Sequence, residues 1–144
     1  MVRKVVLLVL CLSVLGSLYA CAPQKTAENY FEQGKKSYEK KEFDQAIAHY
    51  NEAIKLDPKL VKAYNNRGIA YVVKGQFDQG IVDFNKAIEL DPNNGKAYNN
   101  RAVAYYYKKD VDKARQDLLK AQGLGIPVKM EMLEQLSKPP EESK

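Results

Sequence analysis

The sequence is poor in the residues on which enzymes and disulfide-stabilised domains depend. Its 144 residues include two cysteines and one histidine. Both cysteines, Cys11 and Cys21, lie in or just after an apolar stretch near the start, so the remainder can form neither a disulfide framework nor a cysteine-based metal site. His49 has no evident nucleophile partner, and no phosphate-binding glycine loop is present. These absences predict a protein that is not an enzyme and has no cofactor or metal.

Charge gives little support to nucleic-acid binding. The 23 Lys and Arg exceed the 18 Asp and Glu, for a net charge of +5. Arg3 and Lys4 precede the apolar stretch, and without residues 1–20 the net charge falls to +3. The remaining cations are spread along the chain, whereas nucleic-acid binding requires a clustered basic face.

The sequence is rich in internal repetition. The segment KAYNNR at 62–67 recurs unchanged at 96–101, and LDP at 56–58 recurs at 90–92, in both cases 34 residues later. A fixed period of this length predicts a repeat array, in which each unit buries its apolar face against its neighbours. Such arrays present binding surfaces rather than catalytic pockets.

The period defines three units, at residues 27–60, 61–94 and 95–126. Within each unit, apolar residues recur every three or four positions, which is helical spacing. This pattern breaks near position 15 of each unit, at Lys41, Gly75 and Lys109. Each unit is therefore predicted to be a pair of amphipathic helices, the second ending near Leu56, Leu90 and Gln122.

Residue size alternates in register along the units. Small residues stand at positions 8, 20 and 27, where the two helices of a hairpin approach, and large ones at 4, 17 and 24 fill the gaps. Glycine inside a helix costs about 1 kcal/mol relative to alanine. Gly80 is therefore predicted to occupy a position with no room for a side chain.

The pattern resembles the tetratricopeptide repeat, with Tyr30, Tyr64 and Tyr98 where that family often has tryptophan. The resemblance covers residues 27–126 and implies an all-α fold, a right-handed superhelical array of three helix-turn-helix units. Residues 127–137, which include apolar Val128 and Leu133, are predicted to form a C-terminal capping helix. Residues 138–144 lack apolar side chains and are predicted to be a disordered tail.

In this family the first helix of each unit lines a concave groove, which implies a set of binding residues. The resemblance places two asparagines where members hydrogen-bond a peptide backbone, and an amide can both donate and accept. Apolar and aromatic residues are expected in the deeper half, where Val72 and Tyr106 are expected to pack between adjacent units rather than to contact a ligand. The predicted groove residues are Asn65, Asn66, Ile69, Val73, Lys96, Asn99, Asn100, Val103 and Tyr107.

The residues of the repeated KAYNNR segment have two possible roles, contacts with a ligand in the groove or a part in the fold. Its asparagines, and likewise Arg67 and Arg101, are common in the family and could be surface choices compatible with the fold. Specificity is expected where the units differ, at Phe31 and the apolar groove residues.

Chaperone-adaptor members of the family hold a C-terminal carboxylate with five residues: Lys, Asn, Asn, Lys and Arg. The corresponding positions here are Phe31, Lys35, Asn66, Lys96 and Asn100. Two of the five match, so capture of a chain terminus is not predicted.

The start of the chain differs from the repeats. Residues 1–20 have the charged, apolar and small-residue regions of a secretory signal peptide. Leu18-Tyr19-Ala20-Cys21 resembles the lipobox of bacterial lipoproteins, which implies removal of residues 1–20, a diacylglyceryl thioether on Cys21 and a short tether over 21–26. Cleavage after Ala22 and an uncleaved anchor are the alternatives.

These observations predict a lipid-anchored adaptor of the cell envelope that binds a protein or peptide partner in its groove. The expected location is the periplasmic face of the outer membrane, if the organism has one. A self-associating structural protein and a secreted, non-lipidated protein are the alternatives.

Overall fold

The computed structural model describes residues 26–128, which form six α-helices and no strands. In chain order the helices are α1 (Ala27–Glu39), α2 (Phe43–Leu56), α3 (Val61–Val73), α4 (Phe77–Leu90), α5 (Gly95–Tyr107) and α6 (Val111–Gly123). Each predicted unit forms one helical hairpin, and the predicted all-α class is confirmed. None of these six helices is long and apolar enough to span a membrane. Cys21, residues 1–20 and the tail at 138–144 lie outside the described residues.

The hairpin turns share one backbone conformation, at the positions where the helical pattern breaks. The φ angle is 64° at Lys41, 76° at Gly75 and 63° at Lys109. At the first turn, the amide of Glu42 donates to the carbonyl of Ser37 at 2.9 Å, and the other two turns repeat this bond. Such bonds satisfy carbonyls that the end of a helix leaves open.

Glycines bring the helices of one hairpin into close contact. A Cβ atom added to Gly34 would lie 2.5 Å from the ring of Tyr50, and one added to Gly68 would lie 2.6 Å from the ring of Phe84. At Gly80 it would lie 2.7 Å from Val72 and 3.0 Å from the carbonyl oxygen of Gly68. The prediction that Gly80 has no room for a side chain is confirmed.

The core is a row of hairpin interiors. Its largest fully buried side chains are Tyr50, Phe84 and Leu118, which occupy the same position of successive units. Burying such a side chain stabilises the fold by about 1.5–3 kcal/mol. A fixed register therefore places one large residue in each hairpin.

The third hairpin ends differently from the first two. Gly125 has a φ of 82°, and the amide of Ile126 donates to the carbonyl of Ala121 at 3.0 Å. Ile126 then covers Gly95, where an added Cβ would lie 2.6 Å from it. Val128 packs on the core of the last hairpin, which Ala102, Ala114 and Leu118 form. Residues 127 and 128 are not helical, and the rest of the predicted capping helix lies outside the described residues.

A candidate protein-binding groove

Two depressions lie on the face lined by α1, α3 and α5. The larger, of about 450 Å³, is lined by Ile69, Val72, Val73, Gly75, Phe77, Phe84, Asn100, Val103 and Tyr107. The smaller, of about 330 Å³, is lined by Lys35, Tyr38, Glu39, Tyr50, Asn66 and Ile69. Both volumes fall in the range of about 300–1,000 Å³ that is common for ligand sites. Because Ile69 borders both, the depressions follow one another along the array.

The structure brings six of the nine predicted groove residues to these depressions. Five of them line the larger one, namely Ile69, Val73, Asn100, Val103 and Tyr107. Asn66 lines the smaller one. The other three are half-buried Asn65 and Asn99 and exposed Lys96, which line neither depression.

Tyr107 forms the exposed rim of the larger depression. Its ring stacks on that of Phe77 with centroids 5.3 Å apart and planes 6° apart, and 58% of the residue remains exposed. Tyr106 meets Tyr107 edge-on but lines neither depression. Of these two tyrosines, only Tyr107 contributes to the lining of the larger depression.

The second helices contribute a wall to the depressions that the sequence did not predict. Phe77 and Phe84 reach the larger depression from α4, and Tyr50 reaches the smaller one from α2. The aromatic residues at positions 17 and 24 were visible in the sequence, but their pattern indicated only interior packing. Phe84 and Tyr50 are fully buried, so they form the floors of the two depressions.

Equivalent positions of units one and two differ in polarity around the depressions. Lys35 of the smaller depression corresponds to Ile69, Glu39 to Val73, and Tyr50 to Phe84. As a result, the smaller depression has charged walls, while the larger one has no charged residue in its lining and takes its polar groups from Asn100 and the Tyr107 hydroxyl.

The identical asparagines have different surroundings. Asn100 donates through Nδ2 to Oδ1 of Asn65 at 3.0 Å, which links α5 to α3. Asn66 instead lines the smaller depression together with Tyr50. Burial raises the pKa of Tyr50 to about 12, and its interaction with the Asn66 side chain opposes that increase. The second unit has Phe84 at the position of Tyr50, so Asn100 has no equivalent hydroxyl to bind.

The repeated arginines make contacts within the fold, which favours, of the two open alternatives, compatibility with the fold over a role in the groove. Arg101 donates through Nε and Nη2 to the Asp117 carboxylate, both at 2.7 Å, and through Nη1 to Asn85 of the preceding unit at 2.6 Å. Arg67 makes the same contacts to Asp83 and Asn51. Burial raises the pKa of Asp83, and the hydrogen bonds from Arg67 oppose the increase. Position 7 is Arg only in the two units that have Asp at position 23, a correlation visible in the sequence.

Ion pairs neutralise most cations on the groove face. Lys35 donates to both carboxylate oxygens of Glu32, at 3.1 and 2.9 Å, and this bond raises its pKa. Lys62 bonds Glu28 of the preceding unit at 2.6 Å. Lys96 is the groove lysine without an ion pair in the described part of the chain. Over the same residues, no group of three or more His, Cys, Asp and Glu side chains could hold a metal ion.

The stacked hairpins and their open groove define a helical-repeat scaffold, a class that acts through protein contacts. Models described as TPR repeat and tetratricopeptide repeat match residues 29–73, 61–94 and 84–116. The TPR2B domain of yeast Sti1, solved as a pHsp70 complex, is 32% identical, covers 76% of this chain and 91% of its own, and has a TM-score of 0.70. The chain belongs to the tetratricopeptide-repeat family.

Two further relatives show the extent of the similarity. The first TPR of Spaghetti (RPAP3), bound to the HSP90 peptide SRMEEVD, is 26% identical, covers 81% of this chain and 94% of its own, and has a TM-score of 0.74. The STIP1 homolog of Dictyostelium discoideum is 38% identical over 50 residues, which is 35% of this chain. Because those residues are 9% of that protein, the match concerns a small part of it.

Proposed function

We propose that this chain is a lipid-anchored adaptor that holds a protein partner in its groove during assembly of the bacterial cell envelope. The observation that carries this function is the larger depression, whose apolar walls end in exposed Val73 and Tyr107. Aromatic side chains that stay exposed beside an apolar cavity are typical of binding surfaces. The peptide complexes of the Sti1 and RPAP3 domains support this use of the fold.

The anchor is supported by the resemblance of residues 18–21 to a lipobox. If Cys21 carries the lipid, Ala22 to Thr26 connect it to α1, and five extended residues reach at most about 18 Å. The groove would then lie close to the membrane surface, where envelope proteins are assembled.

Tyr107→Ala tests the groove and Tyr106→Ala is its matched control. Both tyrosines are exposed and on the same helix, but only Tyr107 lines the depression. The partner isolated with the wild-type protein is expected to be lost with Tyr107→Ala and retained with Tyr106→Ala. Retention by both variants, together with a dimer in sedimentation, would favour the self-associating protein.

Cys21→Ala tests the anchor independently. The variant is expected to leave the membrane fraction and to lose incorporation of labelled fatty acid. An unlabelled parent that stays in the membrane would indicate an uncleaved anchor, and an unlabelled soluble parent would indicate cleavage after Ala22.

A further inference from the structure

We propose that the groove takes an internal segment of its partner, in which a bulky apolar side chain is followed or preceded, about three residues away, by a lysine or arginine. This inference rests on the proposed function and adds the chemistry of the partner. Two observations support it: one depression has an uncharged lining and the other a charged one, and most charged groups around them are already paired.

The larger depression is suited to an apolar side chain. Its walls contain no charged residue, and Tyr107 provides an exposed ring at its edge. At Gly75 an added Cβ would meet nothing within 4 Å, so the missing side chain leaves that side open. Units one and three have lysine at this position, and so the opening is particular to the second unit.

The smaller depression is suited to a cation. Its two charged residues are Lys35 and Glu39. The Lys35 ammonium is bound to both carboxylate oxygens of Glu32. Glu39 interacts with Lys35 only by longer-range electrostatic attraction, and it has no ion pair in the described range. An incoming lysine or arginine could therefore pair with the Glu39 carboxylate without displacing an existing bond.

The same charges disfavour an acidic chain terminus. Phe31 stands where chaperone adaptors have a lysine, and the Lys62 ammonium near it is bound to Glu28. Asn100 stands where those adaptors have an arginine, and it donates to Asn65. A terminal carboxylate would thus meet one unpaired cation, Lys96, on this face of residues 26–128.

The spacing follows from the repeat. Packed helices lie with axes about 8–10 Å apart, and an extended chain advances about 3.3–3.6 Å per residue. A segment that crosses from one depression to the next therefore needs roughly three residues between its apolar and basic side chains.

Selection from two random peptide libraries tests this inference on the purified full-length chain. One library places twelve random residues between constant flanks, and the other ends at a free carboxylate. We expect binders from the flanked library with Leu, Ile, Phe or Met and, two to four residues away, Lys or Arg. In a synthetic copy of the best binder, apolar→Ala should weaken binding at least tenfold, and Lys→Glu about threefold to tenfold.

Protein variants then assign each contact. Glu39→Lys should invert the preference, so that the peptide with Glu binds better than the one with Lys. Tyr107→Ala and Gly75→Lys should each weaken the parent peptide at least tenfold, while Tyr106→Ala leaves it unchanged.

The failures of the two proposals are distinguishable. Selection of acidic free termini, or equal binding of Lys and Glu peptides by wild type and Glu39→Lys, would overturn the inference alone. If no peptide from either library depends on Tyr107 or Gly75, the groove is not used and the proposed function fails as well.

Discussion

Arg67 and Asp83 form a bidentate ion pair across the second hairpin, with Nε and Nη2 donating to the carboxylate at 2.8 and 2.6 Å. The side chains are 18% and 4% exposed, so both charges are largely removed from water. Since Arg67 also bonds Asn51, one side chain joins α3 to its own hairpin and to the preceding unit. The pair that Arg101 forms with Asp117 repeats this connection one unit later.

Replacing one member of this pair should lower the free energy of unfolding more than replacing both members. Arg67→Met leaves Asp83 buried without its partner, and the free energy of unfolding should fall by about 3 kcal/mol. Arg67→Met with Asp83→Leu should recover most of that loss, because burying two charges has its own cost. Urea unfolding of Arg67→Met, Asp83→Leu and the double variant measures these changes in the free energy of unfolding.

Lys74→Met is the exposed comparison for that experiment. Lys74 bonds Asp44 of the preceding unit, but the Asp44 side chain is 85% exposed, so the loss should stay below about 1 kcal/mol. Equal losses for Arg67→Met and Lys74→Met would contradict a structural role for the buried pair.

Alanine at Gly68 should destabilise the second hairpin. The added Cβ would lie 2.6 Å from the buried Phe84 ring, and overpacking of this kind costs about 1–3 kcal/mol. Gly123→Ala is the matched control, because Gly123 is also helical but an added Cβ meets nothing within 4 Å. Thermal unfolding should show a lower Tm for Gly68→Ala and an unchanged or higher Tm for Gly123→Ala. A Tm that rises in both variants would show that helix propensity outweighs any overpacking at Gly68.

Tyr50 should make stability depend on pH in the alkaline range. The folded state raises the pKa of Tyr50 from 10.0 to about 12, so its neutral form is favoured by folding. The resulting stability is fully present below pH 10 and is lost as the pH rises towards 12, by roughly 1–3 kcal/mol. Chemical unfolding at pH 9 and pH 12 should therefore show a smaller decrease for Tyr50→Phe than for wild type. Parallel decreases in the two proteins would show that other groups cause the loss.

Replacing the two lysines that have a left-handed backbone conformation by glycine should stabilise the protein. Lys41 and Lys109 have φ angles of 64° and 63°, a region that costs a non-glycine residue about 1–2 kcal/mol. Lys41→Gly and Lys109→Gly should each raise the free energy of unfolding by up to about 1 kcal/mol, since glycine also loses more entropy on folding. Lys40 has a φ of −79° and provides the control, because Lys40→Gly should lower stability. An equal loss for all three substitutions would show that the turn conformation carries no strain.

The depression was predicted only in part, and its residues show why. Ile69 and Val73 could be placed on one face of α3, and Val103 and Tyr107 on the same face of α5, because their spacing is helical and local; the family resemblance identified that face as the groove. Phe77 could not, because its contact with the Tyr107 ring depends on how two hairpins pack, which is a relation across 30 residues.

The sequence alone determined the array: its period, the two helices of each unit, the turns at Lys41, Gly75 and Lys109, and the positions that allow only small residues. These follow from local backbone preferences and from apolar periodicity, which neighbouring residues suffice to define. The tertiary structure decided which copies of a repeated residue make the same contacts. Arg67 and Arg101 make the same contacts because both units supply the Asp that binds them. Asn66 and Asn100 have different neighbours because Tyr50 of the first unit is replaced by Phe84 in the second. A side chain's partner is set by packing between units, and identical phrases therefore acquire different contacts.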